Sequence, residues 1–210
     1  MIIGIVGFIG SGKDTLARMI AEHCNAHHDS FANPLKDAAS AIFGWPRHLL
    51  QGDTQESRTF RETPDLFWSN KLSIQEFTPR LALQLLGTDI LRNHFHTDIW
   101  LNSLEYRLQS ATADIVISDA RFQNELKLIQ EQGGKIIWVQ RGDLPGWYDT
   151  AVKAVQQHDS LALKTMETKY RHIHRSEWDW AGYPVDIIVD NNGPLESLHQ
   201  TMLTIVKDCK

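Results

Sequence analysis

Cysteine is scarce in this chain, long apolar runs are absent, and positive charge is the minority sign. Two cysteines, Cys24 and Cys209, supply neither a disulfide framework nor a four-ligand zinc site. They read as small, partly buried residues of a reducing compartment. No stretch reaches the roughly 20 apolar residues of a membrane span. Residues 1–12 carry no charge, but no basic segment precedes them and Lys13 ends the run, which is the wrong order for a secretory signal. Lys and Arg number 21 against 26 Asp and Glu, a formal net charge of -5 with ten His counted neutral. The basic footprint of a nucleic-acid polymer binder is therefore missing. No repeat of about 20–50 residues is visible either, which argues against a solenoid. These absences lead us to expect a cytoplasmic protein with no membrane and no nucleic-acid polymer among its partners.

What is present is an ordinary globular composition: 210 residues, 42% hydrophobic and 22% charged. That length suits one α/β domain with room for an inserted lid. Ile2–Val6 is an apolar run that stops at glycines, as a strand buried on both faces does. Residues 15–23 then place Leu16, Met19 and Ile20 on one helical face. A short strand is expected at 28–31, and a helix at 34–43 with proline at its start and Gly44 after its end.

The polar stretch 45–71, broken by Pro46 and Pro64, reads as short helices and loops. Pro79 opens a helical stretch through Phe95 with Leu81, Leu85 and Leu86 on one side, and 98–108 continues as helix. Residues 113–118 are a second buried strand that ends at Asp119. Helix 123–132 stops at Gly133 and Gly134, and Lys135–Gln140 is the next strand. Segment 142–184 shows no core strand but carries Trp147, Trp178 and Trp180. Strand 185–189 and helix 195–206 close the chain. Apolar strands alternating with helices predict a parallel sheet with helices on both faces.

Gly7, Gly10, Ser11, Gly12, Lys13, Asp14 and Thr15 follow the first strand and open the first helix. The spacing from Gly7 to Lys13 matches a phosphate-binding loop. Glycines let backbone N–H groups converge on a polyphosphate, the helix N-terminus adds positive field, and Lys13 supplies a mobile cation. Aspartate stands where a hydroxyl usually follows the lysine. Asp14 is expected to hold Mg²⁺ through water, which leaves Thr15 for the α-phosphate.

Asp119 and Arg121 sit at a strand's carboxyl end, where open α/β sheets bind ligands. Asp119 suits magnesium-bound water or the orienting of a base, and Arg121 offers a planar fork for phosphate. Alternatively, Asp119 caps the next helix and Arg121 pairs with Glu125. Arg58, Arg61 and Arg80 punctuate a segment with Trp68, Trp100 and the turn Leu86-Gly87-Thr88-Asp89, a set that fits a small anionic nucleotide. Arg171, His172, His174 and Arg175 form a polar stretch that reads as a lid. His172 and His174 also invite a weaker metal reading.

Taken together, Gly12-Lys-Asp-Thr15, Asn33-Pro-Leu-Lys36-Asp-Ala, Phe60-Arg61-Glu-Thr, Arg80 through Leu86-Gly-Thr-Asp89 to Trp100, Asp119-Ala-Arg121, His174-Arg-Ser-Glu177 and Asp186 through Gly193 resemble the deoxynucleoside monophosphate kinases of bacteriophages. These belong to the adenylate-kinase-like group of P-loop kinases, and the Lys-Asp-Thr form of the loop is shared with them. The resemblance implies a P-loop NTPase fold of nucleoside monophosphate kinase type. Its core would be residues 1–44, 96–141 and 185–210, with a monophosphate-binding insertion at 45–95 and a lid at 142–184.

The resemblance further implies ATP-dependent phosphorylation of a deoxynucleoside monophosphate with Mg²⁺. Lys36, Arg61, Arg80, Gly87, Thr88, Trp100, Asp119 and Arg121 would serve the monophosphate, and Lys13, Asp14 and Arg121 the transfer. Gly10 to Thr15 with Asn191, Asn192 and Gly193 would hold ATP. Arg171, His174, Arg175 and Glu177 would form the lid, and Asp14 with Asp119 would hold the metal through water. It leaves a homodimer open and places a phage-encoded enzyme in the host cytoplasm. Two rival readings stand beside it: a P-loop kinase of another small acceptor (dephospho-coenzyme A, a sugar or a phosphomevalonate), and a nucleotide-gated regulatory module.

Overall fold

The computed structural model describes residues 1–208; Cys209 lies outside them. The chain opens with β1 (Ile2–Val6), α1 (Lys13–Cys24), β2 (His27–Asp29) and α2 (Asn33–Phe43). A 3-10 turn (Arg47–Leu50) leads to α3 (Gln55–Glu62), α4 (Leu66–Leu72) and α5 (Pro79–Gln84), then a π-helical segment (Leu85–Phe95) and α6 (Ile99–Ser110). There follow β3 (Ile115–Ile117), α7 (Gln123–Glu131), β4 (Lys135–Gln140), α8 (Tyr148–Gln156) and α9 (Ser160–Thr168). A second 3-10 turn (Arg175–Glu177), β5 (Ile187–Asp190) and α10 (Leu195–Asp208) complete the order. Among the described residues no helix is long and apolar enough to cross a membrane. Two compact units result: one takes Met1–Ser30 and the chain from Arg107 onward, the other is Phe31–Tyr106.

The first unit is built on a five-stranded sheet of order β2-β3-β1-β4-β5. Every neighbouring pair is parallel, with Ile2 opposite Ile115 and Ile3 opposite Lys135. The central strands are apolar throughout because both of their faces are covered. Ile3, Ile5, Val116, Ile137 and Val139 pack against Leu16, Ala17 and Ile20 of α1 and Leu198, Met202 and Ile205 of α10. Met19, expected on the core face of α1, lies only partly buried at its margin. The edge strand β5 alternates instead, with Val189 buried and Ile188 exposed. It begins at Ile187 rather than 185, because the Asp186 carboxylate takes the Ile136 N–H that a strand carbonyl would otherwise accept.

Segment 142–184 has no strand, as expected, but it is far from loose. α8 and α9 bury Tyr148, Ala151, Ala154, Ala162 and Met166. Trp138 of β4 stacks on Tyr148 at 5.6 Å and meets Trp180 edge-on at 5.4 Å.

The second unit has its own core of Ala39, Trp45, Leu50, Phe77, Ala82 and Leu83, with Phe43 stacked on Trp45 at 4.4 Å. It is wider than the 45–95 insertion expected from the sequence. α2 belongs to it, since Ala39 is fully buried there and Leu35 and Phe43 pack against the same cluster. Its polar sequence still makes helices α3, α4 and α5 because the start of each is capped by a side chain. Thr54 accepts from Ser57 N–H, Asp65 from Trp68 N–H and Thr78 from Leu81 N–H, satisfying donors that a first helical turn leaves orphaned. The expected helix through Phe95 changes winding at Leu85 and runs as a π-helix, a form met mostly as short bulges at functional sites.

Candidate active site

The loop between β1 and α1 turns on glycine. Gly10 and Gly12 have φ of 79 and 93°, and Gly12 is the left-handed residue from which α1 starts. A side chain at Gly12 would also place its Cβ 2.3 Å from the Asn191 amide nitrogen. Asn191, just after β5, is buried and donates to the Ser11 carbonyl at 2.8 Å. It therefore holds the loop directly. Its neighbour Asn192 accepts the Gly142 N–H at 2.7 Å, while Gly193 lies close to Ser197. Phe8 inside the loop meets Trp147 edge-on at 5.5 Å and Trp180 at 5.1 Å, which fastens the loop to both ends of segment 142–184.

Lys13 reaches Asp14 across 3.4 Å, and the Asp14 side chain is 64% exposed. The other Asp14 oxygen accepts from the Ser118 hydroxyl at 3.0 Å, and His28 Nε2 lies 3.0 Å from that same hydroxyl. Although His28 stays partly in solvent, loss of water around the ring lowers its pKa from 6.5; the charges of Asp119 and Asp14 oppose that shift. Asp119 is thus brought into the field of the same group. Thr15 is half-buried at the helix start.

Arg121 pairs through Nη1 with Glu177, and its backbone N–H donates to Glu125 at 2.7 Å. Glu125 also accepts the Phe122 N–H, so it caps α7 while the Arg121 guanidinium goes elsewhere. Arg175 is bound to Asp179 at 2.8 Å, and Asp179 takes the Gln123 N–H. His174 accepts from Ser176 N–H at the start of its 3-10 turn, while Arg171 is exposed. Among the described residues no three His, Cys, Asp or Glu gather as a metal cluster, so the metal reading of His172 and His174 has no geometric support.

In the second unit Lys36, Arg61 and Arg80 line one cavity of about 260 Å³ with Ala32, Leu35, Leu83 and Gln84. Lys36 donates to the Gln51 side chain at 2.7 Å, and Arg80 to Glu62 at 2.5 Å. Arg61 reaches the Gln51 carbonyl at 3.3 Å, yet its buried Nε has no hydrogen-bond partner among the described residues. Desolvation, then the neighbouring Arg80 charge, pull the Arg61 pKa down, against Glu62. Gly52, at φ 79°, leaves the room that Arg61 occupies: a Cβ there would sit 2.0 Å from Nη1. Converging cations with an unspent buried donor can receive an anion.

Gly87 is buried, Thr88 is exposed, and the Trp100 indole donates to the Gly87 carbonyl at 2.9 Å. Trp68 donates instead to the Phe43 carbonyl at 3.1 Å, and Arg58 to the Gly52 carbonyl at 3.1 Å. Gln84, one helical turn after Arg80, was not singled out from the sequence, although that i, i+4 spacing could have found it. Ser118 and His28 carried no signal, because a hydroxyl and an imidazole 90 positions apart meet only through strand pairing.

A model of the deoxynucleotide monophosphate kinase family matches residues 48–153. A protein of Acanthamoeba polyphaga mimivirus named for that kinase is 32% identical over 193 residues, covering 82% of this chain and 94% of its own. The chain belongs to the deoxynucleotide monophosphate kinase family. A second member, the deoxynucleoside-5'-monophosphate kinase of Escherichia phage T5, is 28% identical over 62% of this chain and 72% of its own. The dephospho-CoA kinase of Campylobacter jejuni, a solved structure, is 16% identical with a TM-score of 0.45, covering 100% of this chain and 97% of that one. In this kinase family member the parallel sheet and the glycine loop that opens α1 make up a P-loop NTPase fold, and the protein is an enzyme.

Proposed function

We propose that the protein transfers the γ-phosphoryl group of ATP to the 5′-phosphate of a deoxynucleoside monophosphate, in line and with Mg²⁺. The observation that carries this reading is the cavity of Lys36, Arg61 and Arg80, three cations set around space for one dianionic phosphate. The glycine loop, Lys13 and the N-terminus of α1 suit the donor polyphosphate, with Asn191, Asn192 and Gly193 beside it. Asp14 and Asp119 suit Mg²⁺ held through its bound water, because the ion dehydrates reluctantly and usually keeps several waters beside substrate phosphates. When bound, the ion neutralises charge on the donor phosphates.

The acceptor phosphate is already ionised at neutral pH, so no strong general base is needed. The protein's share is positioning and charge neutralisation by Lys13 and Arg121, aided by the Arg171–Arg175 segment. Thr88 and Trp100 belong to the acceptor side, Trp100 by shaping the Gly87 turn. The nucleotide pools of the cytoplasm are where such an enzyme would work. A coupled assay for ADP against every common deoxy- and ribonucleoside monophosphate tests the reading. Turnover that depends on a deoxynucleotide supports it, turnover only with dephospho-coenzyme A, a sugar or a phosphomevalonate replaces the acceptor, and acceptor-independent hydrolysis alone overturns it.

A further inference from the structure

Asp14 is the residue by which this phosphate loop departs from the usual lysine-hydroxyl sequence, and it does not stand alone. Ser118 leaves the sheet directly after β3, is only 5% exposed, and donates its hydroxyl proton to Asp14 Oδ1 at 3.0 Å. That hydroxyl has one proton to give, so its remaining contact, His28 Nε2 at 3.0 Å, must donate to the Ser118 oxygen. The result is a directed chain: His28 N–H to Ser118 O–H to the Asp14 carboxylate. Strand pairing makes it possible. β2 and β3 run in parallel register with His28 opposite Val116 and Asp29 opposite Ile117, which sets the imidazole beside the residue that follows β3. The Asp14 carboxylate is thereby held by Oδ1, while Oδ2 lies 3.4 Å from Lys13 Nζ, on the side of the loop's own cation.

We infer that Ser118 and His28 are positioning residues for Asp14, fixing the orientation of its carboxylate toward a divalent cation that arrives with the donor nucleotide. An exposed aspartate at the first turn of a helix has free rotation about two bonds. One hydrogen bond from a buried hydroxyl removes most of that freedom, and the imidazole keeps the hydroxyl from turning away. Outer-shell partners that orient the groups around a metal commonly change its affinity by about 10–100-fold. The inference rests on the magnesium-nucleotide reading above.

The test is calorimetric binding of a non-hydrolysable ATP analogue, with Mg²⁺ and separately with EDTA, to the full chain and its variants. Wild type is expected to bind more tightly with Mg²⁺. Ser118→Ala should lose about tenfold of that affinity while matching wild type in EDTA, and Ser118→Thr, which keeps the hydroxyl, should recover it. His28→Phe, at a partly solvated position, should lose a few-fold in the same Mg²⁺-dependent way. Ser118→Ala added to Asp14→Ala should cost nothing further. Equal losses with and without Mg²⁺, or no loss in a folded Ser118→Ala protein, would overturn the inference and leave the donor reading intact. A wild type indifferent to Mg²⁺ would overturn the metal reading itself. Mn²⁺ binding followed by electron paramagnetic resonance gives the same comparison without nucleotide turnover.

Discussion

The glycine loop offers an anion mainly backbone N–H groups, whereas the cavity in Phe31–Tyr106 offers it side-chain cations. The loop exposes N–H groups at the start of α1 by setting Gly10 and Gly12 at positive φ, with Lys13 as the one added cation. The second unit collects Lys36, Arg61 and Arg80 from three different helices, α2, α3 and α5. Most substitutions leave backbone donors in place and at worst misplace them, proline excepted, whereas guanidinium groups can be removed singly. A polyphosphate receptor that must recognise any donor nucleotide suits the first design, and a receptor tuned to one class of acceptor suits the second. The two also differ in how they are held. The loop is fastened by Asn191 and the Phe8 aromatic contacts, and the arginine cavity by a glycine and a local ion pair.

The largest effects should fall on the transferring group. Lys13→Ala and Arg121→Ala are each expected to lower kcat by about 10³ or more, as loss of transition-state cations does in phosphoryl transfer. A raised KM at unchanged kcat would instead make Arg121 a ground-state binder. Next come the acceptor cations. Arg61→Ala and Arg80→Ala should each raise the deoxynucleotide KM by about 10–100-fold, the weight of a hydrogen bond to a charged group, with the ATP KM unchanged. A shift in the ATP KM of the same size would erase the contrast between the units.

Two glycines then probe the contrast directly. Gly12→Ala strains a left-handed residue, at about 1–2 kcal/mol, and crowds Asn191, so nucleotide binding to the loop should weaken by about tenfold. Gly52→Ala strains a left-handed residue too, at φ 79°, but its Cβ would meet the Arg61 side chain, whose far end is flexible and can swing aside. The deoxynucleotide KM should rise less, with ATP unaffected, and steady-state kinetics in both substrates separates the two outcomes.

The smallest effect is on stability alone. Asp65 caps α4 and accepts the Trp45 indole N–H at 2.8 Å. That bond chiefly, with the Trp68 and Phe67 N–H groups, holds its pKa below 3.8 against the opposing cost of desolvation. Asp65→Ala should cost about 1 kcal/mol. Because the folded pKa is depressed, the stabilisation is complete above pH 3.8 and is lost as pH falls through the lower folded value. The gap between wild type and variant in urea midpoint should therefore be full at pH 7 and narrow in acid.

How legible each part was follows from where its information lies along the chain. β1, β4 and the glycine loop are contiguous, and their apolar runs and spacing name them locally. Helix ends were legible wherever a capping residue or Gly44 marks them. The cavity of Lys36, Arg61 and Arg80 was only partly readable: arginine clustering joined Arg61 to Arg80, and Lys36, 25 positions before Arg61, was joined to them by resemblance alone. The segment 142–184 read as a polar lid, since the sequence does not reveal that Tyr148 stacks on Trp138 of the sheet and Trp180 meets it edge-on.

By itself, then, the sequence determined a parallel α/β fold with a phosphate loop, because local periodicity and glycine placement act over a few residues. Tertiary structure alone decided which partner each charged group takes. The Arg121 guanidinium meets Glu177 while only its backbone N–H meets Glu125, α2 joins the second core rather than the first, and Ser118 with His28 holds Asp14. Those choices depend on strand order and on which side chains helix packing brings together, and no short-range pattern encodes them.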